Sequence, residues 1–99
     1  MKNMTKKLVC EIVGGRPYEY YPLGKYIVAA PGVCGGRPTF KYTRLEVAVV
    51  LDLLAAGWTV EKLVNQYVDS HLTPKAIAEA VRLAKKALIV TTTAEKPAA

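Results

Sequence analysis

Residues of the kinds that carry catalysis are scarce in this chain. It has one histidine, His71, and one serine, Ser70, which are consecutive with Asp69. A catalytic triad needs members that converge from different parts of a fold, whereas Asp and Ser at consecutive positions are typical of turns. The sequence also has no cluster of metal ligands and no phosphate-loop lysine. We therefore predict that the protein is not an enzyme and that it uses no metal or cofactor.

Long hydrophobic runs are also missing. The longest, residues 47–56, contains Asp52 and falls short of the roughly 18 residues needed to cross a bilayer. The lysines near the N-terminus precede a segment that is too short and too charged for a signal peptide. We therefore expect a soluble cytoplasmic protein without a membrane partner.

Cysteine is limited to Cys10 and Cys34, which are too few and too far apart for a zinc site or a redox Cys-x-x-Cys pair. Buried as small hydrophobic side chains, they need no special role. A disulfide between them is the alternative, expected mainly in an oxidising compartment or in a hyperthermophile. The sequence leaves both possibilities open.

Acidic residues are scarce in the N-terminal half. Residues 1–44 hold eight Lys or Arg against Glu11 and Glu19, whereas residues 45–99 hold six of each sign, so the first half carries the whole net charge of +6. This asymmetry favours an anionic partner, with nucleic acid the first candidate. A solvated surface that keeps the protein soluble is the alternative.

Short strands and turns account for the N-terminal half. Residues 7–13 and 25–30 are rich in β-branched and aromatic residues and are bounded by Gly and Pro. A third strand pair is expected from "PTF" and "RLEV", turned at Lys41 and Tyr42. The turn sequence Gly-Gly-Arg-Pro occurs twice, and we interpret both copies as structural turns.

Helical spacing begins after Leu45. A first helix is predicted over residues 47–56, a second after a Thr59 cap, and a third at Thr73 with proline in its first turn. A short polar link between the last two helices fits a helix-turn-helix unit. We predict one α+β domain whose parts are N-terminal strands or a hairpin (1–44), a three-helix helix-turn-helix unit (45–88) and a C-terminal tail (89–99).

Residues 35–80 resemble, in one collinear run, the family catalogued as domain of unknown function 433, which is grouped with VapB-like antitoxins. The matching positions are Gly35, Gly36 and Pro38; Thr43 and Arg44; Leu53, Leu54, Ala55, Gly57, Thr59 and Glu61; and Leu72, Thr73, Ile77 and Ala80. Two features depart from the family pattern: Tyr42 replaces a usual glycine, and the link "VDSHLT" is longer than usual.

The resemblance implies a homeodomain-like helix-turn-helix fold that works as a dimer. It further implies an antitoxin that neutralises a PIN-like ribonuclease toxin and represses the promoter that the two share. The alternative from a different class is a protein-interaction module that binds a partner protein without binding DNA.

The last helix is the candidate recognition helix for double-stranded DNA, because the second helix of such units enters the major groove. Lys75 and Glu79 are expected to reach base edges, and Arg82, Lys85 and Lys86 to contact phosphates. A solvated charged helix face is the alternative.

Further phosphate contacts are predicted near the strand turns and at the N-terminus. The residues concerned are Arg37, Lys41 and Arg44, with a possible basic arm formed by Lys2, Lys6 and Lys7. Arg44 has a structural alternative, in which it ties the turn to helix carbonyls. The tyrosines of the basic half are expected to serve sheet packing or a protein interface.

Overall fold

The computed structural model describes residues 7–94, with side chains through Ile89. Four strands come first, followed by three helices. The strands are β1 (Val9–Val13), β2 (Arg16–Pro22), β3 (Ile27–Ala29) and β4 (Pro38–Phe40), and the helices are α1 (Val47–Ala55), α2 (Val60–Gln66) and α3 (Pro74–Ala94). The predicted α+β class is therefore confirmed. No helix among residues 7–94 is both long and apolar enough to cross a membrane.

The strands form one antiparallel sheet in the order β1-β2-β3-β4. Gly14 and Gly15 make the tight β1–β2 turn with φ of 59° and 78°, values that suit the two-residue turns preferred by hairpins. Only two residue pairs join β2 to β3, whereas all five residues of β1 pair with β2. The sheet is thus a four-stranded meander and not a single N-terminal hairpin.

The prediction of a strand at "RLEV", residues 44–47, is wrong. β4 pairs with β3, with Phe40 opposite Ile27, and after the turn only one isolated bridge joins Thr39 to Glu46. The backbone then enters α1 at Val47. Of these four residues only Val47 lies in α1, and Leu45 packs against the core just before the helix begins, so the stretch leads into α1 and does not continue as a strand.

Local capping signals place the helices. The Thr59 hydroxyl accepts a hydrogen bond from the Lys62 amide at 3.0 Å, and the Thr73 hydroxyl accepts one from the Ala76 amide at 3.1 Å. Gly57, with φ of 101°, terminates α1 as expected. α3 continues through the predicted start of the tail to Ala94, and residues 95–99 lie outside the described residues.

The main core lies between the β3–β4 pair and the three helices. Its fully buried members are Ile27, Val50, Leu63, Ile77 and Ala80, each at most 2% exposed, with Phe40 beside them. A smaller cluster around Tyr20 and Val28 lies nearer the β1–β2 hairpin. Strands and helices therefore share one core, and the end of the sheet that carries β4 holds α1 and α3 in place.

The two cysteines are unbonded to each other. Cys10 is exposed on β1, so the expectation that both cysteines are buried is wrong, because side chains alternate along the strand and Cys10 lies on the exposed face while Val9 and Glu11 are partly buried. The Cys34 thiol lies 3.4 Å from the Arg44 carbonyl and donates a weak hydrogen bond to it.

Candidate nucleic-acid interface

Four cations lie on the exposed surface of α3. Lys75, Arg82, Lys85 and Lys86 are exposed, whereas Ala76 and Ala80 on the other side of the helix are at most 5% exposed. At about 100° per residue, Lys75, Arg82 and Lys86 fall within an arc of about 40°. Among the described residues, none of the four has a carboxylate oxygen within 4.0 Å. The helix therefore presents a positive stripe away from the core.

Glu79 lies beside this stripe but faces the sheet. Its carboxylate accepts hydrogen bonds from the backbone amides of Lys25 at 2.8 Å and Tyr26 at 2.6 Å. Gly24 is packed against the same carboxyl group, because a Cβ there would lie 2.6 Å from its Cδ and Oε1. Both oxygens thus hold the β2–β3 turn on α3, and this placement gives Glu79 a positioning role.

Arg37 is paired with Glu46. Its Nε and Nη2 donate to the two carboxylate oxygens at 2.9 and 3.1 Å. The hydrogen bonds from Arg37 lower the pKa of Glu46 below its usual range and raise that of Arg37. The pair bridges the loop before β4 and the residue that caps α1, so Arg37 already has an anionic partner.

Lys41 belongs to a cluster of tyrosines around one carboxylate, formed by Glu11, Tyr18, Tyr20, Lys41 and Tyr42. The ammonium group is 3.6 Å from a Glu11 oxygen and lies over the rings of Tyr20 and Tyr42 at 4.9 and 5.0 Å. Contacts with Tyr20 and Tyr42 raise the pKa of Lys41 strongly, despite partial burial. Tyr20 and Tyr42 both donate hydrogen bonds to Glu11, and these lower its pKa.

Arg44 projects from the exposed turn between β4 and α1. It lines a groove of about 690 Å³ between residues 41–44 and residues 69–73, which we call the link groove. Within residues 7–94 no carboxylate oxygen approaches its guanidinium within 4.0 Å. The basic arm at Lys2 and Lys6 lies outside the described residues, and Lys7 is exposed before β1.

A family model described as a protein of unknown function, domain of unknown function 433, matches residues 27–84. The chain belongs to this family. The match starts at the first residue of β3 and ends within α3, so it covers the β3–β4 pair, α1, α2 and the first half of α3 but leaves the β1–β2 hairpin outside. No curated protein and no solved structure matches the chain.

The family region brings together some of the predicted site residues and separates others. Lys75 begins the stripe on α3, and Arg44 lies across the link groove from the α3 start. Arg37 is engaged elsewhere, at the end of an apolar groove between α1 and α3. Among residues 7–94 no group of three or more His, Cys, Asp or Glu side chains could hold a metal ion.

Sequence reasoning missed two features of this region. Lys25 lies just outside the family match, yet it lines the link groove beside Tyr26. The cluster around Glu11 joins strands that are far apart in the sequence. Neither feature has a local sequence signal, whereas Gly24 does signal a different contact, the close approach of Glu79 to the β2–β3 turn.

Proposed function

We propose that this protein is an antitoxin-like regulator that binds double-stranded DNA through α3. The observation that carries the proposal is the stripe formed by Lys75, Arg82 and Lys86, which lies on the exposed face of a helix opposite its buried alanines. A helix of 21 residues is about 30 Å long, enough to lie across a major groove and reach phosphates at its edge.

A helix-turn-helix arrangement of the homeodomain-like type belongs to the same proposal. α2 ends at Gln66, a short 3-10 turn at Val68–Ser70 follows, and α3 starts at Pro74. His71 reverses the chain with φ of 55°. In this arrangement Lys75, near the N-terminus of the second helix, contacts base edges, and Arg82, Lys85 and Lys86 contact phosphates.

Glu79, Arg37 and Lys41 have no direct DNA contact in this proposal. Glu79 already accepts two backbone hydrogen bonds, and the two cations already face the carboxylates of Glu46 and Glu11. Moving Glu79 to DNA would leave two backbone amides without their acceptor, and moving Arg37 or Lys41 would break an ion pair that already exists.

The salt dependence of DNA binding tests the proposal. Anisotropy of a labelled duplex should show binding that weakens with salt, and Arg82→Ala with Lys86→Ala should lower the affinity. Because each lost phosphate contact reduces the slope by about 0.9, the slope should fall by nearly two. The matched control, Arg16→Ala with Lys62→Ala, removes the same charge from the β1–β2 turn and from α2 and should have a much smaller effect. Equal slopes for the two double variants would refute a DNA-binding role for α3.

The antitoxin proposal has four further parts, and the family resemblance supports them. The protein forms a dimer, binds a PIN-like ribonuclease, represses a promoter that the two share, and is located in the cytoplasm. Sedimentation of the purified protein tests the dimer directly. Association with the product of a neighbouring nuclease gene, followed by inhibition of its RNA cleavage, tests the toxin partner.

A protein-interaction module without DNA binding is the second candidate, and apolar exposure favours it. The groove between α1 and α3 has a volume of about 470 Å³ and is lined mainly by apolar side chains such as Leu51 and Leu83. Beyond it, Leu88 and Ile89 are 67% and 52% exposed on α3. An absence of duplex binding even at low salt, together with a tight protein partner, would favour this candidate over the regulator.

A further inference from the structure

The link groove combines a size, a charge and a lining that suit a small ligand. Its volume of about 690 Å³ lies within the range of about 300–1,000 Å³ typical of small-molecule sites. Phe40, Leu72 and Ala76 form an apolar floor, each at most 5% exposed. The groove is therefore a concave site with a dry base and polar walls.

Positive charge predominates on the walls of the groove. Lys25, Lys41 and Arg44 line it, against the single carboxylate of Asp69. The described part of the chain has two ion pairs, Arg37–Glu46 and Lys41–Glu11. Neither of them includes Lys25 or Arg44, so these two side chains have no carboxylate partner among the described residues. An anionic group that enters the groove thus meets two cations that no described carboxylate neutralises, and Arg44 offers the planar fork that suits a phosphate.

Aromatic rings lie beside these cations. Tyr26, Tyr42 and His71 line the groove, and Tyr42 is 54% exposed although its hydroxyl is held by Glu11 at 2.6 Å. The Tyr18 ring and the Lys41 ammonium lie against this ring at 5.4 and 5.0 Å, and about half of the residue stays exposed for a nucleobase to stack on. A phosphate group alone would fill only a small part of the available volume.

Unusual backbone conformations converge on the same place. Among the described residues, positive φ at a residue other than glycine occurs at Tyr42 (69°), His71 (55°) and Cys34 (50°). The first two lie on opposite walls of the link groove, and the Cys34 thiol donates to the carbonyl of Arg44. Such conformations cost free energy and concentrate at binding sites, where the surrounding structure maintains them.

We propose that the link groove binds a nucleoside monophosphate, with Arg44 and Lys25 holding the phosphate and Tyr42 stacking on the base. This site is separate from the stripe on α3 and does not require DNA binding. It provides the proposed regulator with a place for a soluble nucleotide effector close to the start of its recognition helix.

Titration of the full chain with AMP, adenosine and inorganic phosphate, followed by amide NMR shifts, tests the proposal. We expect saturable shifts at Thr43 and His71 with AMP, and affinities lower by about tenfold or more for the two fragments. Arg44→Gln and Lys25→Gln should each weaken AMP binding by about tenfold, because a charged hydrogen bond is lost. Arg16→Gln, which makes the same charge change at the β1–β2 turn, should leave it unchanged. Thermal unfolding of each variant verifies that the fold is kept.

AMP binding by Arg44→Gln as tight as by the unmodified protein would overturn the proposal, and so would the absence of AMP binding at low salt. A DNA phosphate is the other possible source of the same chemistry. If Arg44→Gln weakens duplex binding while AMP does not bind, the groove holds the DNA backbone and the nucleotide proposal is wrong. The double variant Arg82→Ala with Lys86→Ala should bind AMP as tightly as the unmodified protein. The DNA-binding proposal can therefore fail while the nucleotide proposal stands, and the two failures can be told apart.

Discussion

Replacing Gly24 by alanine should destabilise the protein, because the new methyl group would collide with the carboxylate of Glu79, which is far away in the sequence but adjacent in the fold. A Cβ there would lie 2.6 Å from Cδ and Oε1 of Glu79 and 2.8 Å from Oε2, so the carboxyl group must move. Moving it breaks the hydrogen bonds from the amides of Lys25 and Tyr26. The backbone itself does not oppose alanine, because Gly24 is not among the glycines with positive φ.

The size of the effect follows from these two hydrogen bonds. Hydrogen bonds to charged groups contribute about 1.5–3 kcal/mol each, but the Lys25 amide is exposed and recovers a bond to water, so the loss is about 1–3 kcal/mol in total. Replacing glycine by alanine also stabilises by about 0.4–1 kcal/mol through the unfolded chain. The midpoints of these two ranges give a net destabilisation of about 1.3 kcal/mol, or a Tm lower by about 5–10 °C.

A double-mutant cycle with Glu79→Ala isolates the contact. Glu79→Ala alone should destabilise by about 1–3 kcal/mol, and adding Gly24→Ala to it should cost little, because the colliding carboxyl group is gone. Gly32→Ala is the matched control: its Cβ would meet nothing within 4 Å, so it should be neutral or slightly stabilising. Urea unfolding of the four proteins gives the coupling free energy. An equal cost of Gly24→Ala with and without Glu79 would refute this account of the glycine.

Three further predictions concern capping and the tyrosine cluster. Thr73→Ala should lower the free energy of unfolding by about 1 kcal/mol, measured with urea, because the Ala76 amide loses its cap, whereas Thr73→Ser should retain most of it. Hydrogen bonds from Tyr20 and then Tyr42 lower the pKa of Glu11 from 4.5. The ionised carboxylate therefore stabilises the fold above about pH 4.5, and this stabilisation is lost as the pH falls through the pKa of Glu11 in the folded protein. Glu11→Gln should therefore show a smaller loss of stability on acidification, and an unchanged pH profile would contradict this. Tyr42→Phe removes the hydroxyl bond to Glu11 but retains the ring, so hydrogen exchange in β1 should accelerate while exchange in α3 stays unchanged.

The sequence predicted the elements whose signals are local. Thr59 and Thr73 cap the helices they were expected to cap, and Gly57 ends α1, because each contact involves residues within a few positions. The strand predicted from "RLEV" does not form because Leu45 and Val47 pack into the core at the entry to α1, which leaves Glu46 with a single bridge to Thr39.

The candidate site was less predictable because its contacts are not local. Glu79 has the spacing of an exposed residue on a recognition helix, yet its hydrogen-bond partners lie 53 and 54 positions earlier. Lys41 was recognisable as a cation, but the carboxylate that it faces lies on β1, outside the family region. A sequence pattern identifies the charge of a residue, whereas the fold decides which charges are already paired.

The conformation of Tyr42 connects this pairing to the β1–β2 hairpin. Its φ of 69° is one that glycine adopts readily and tyrosine resists. Any residue at this position could donate its amide to the Tyr18 hydroxyl at 2.9 Å, but only a side chain such as tyrosine also supplies the hydroxyl bond to Glu11. Because just two residue pairs join β2 to β3, these side-chain bonds and the buried cluster around Tyr20 and Val28 both help to attach the hairpin to the family fold. Tyrosine at a position where glycine would be less strained is therefore explained by the hairpin that it holds.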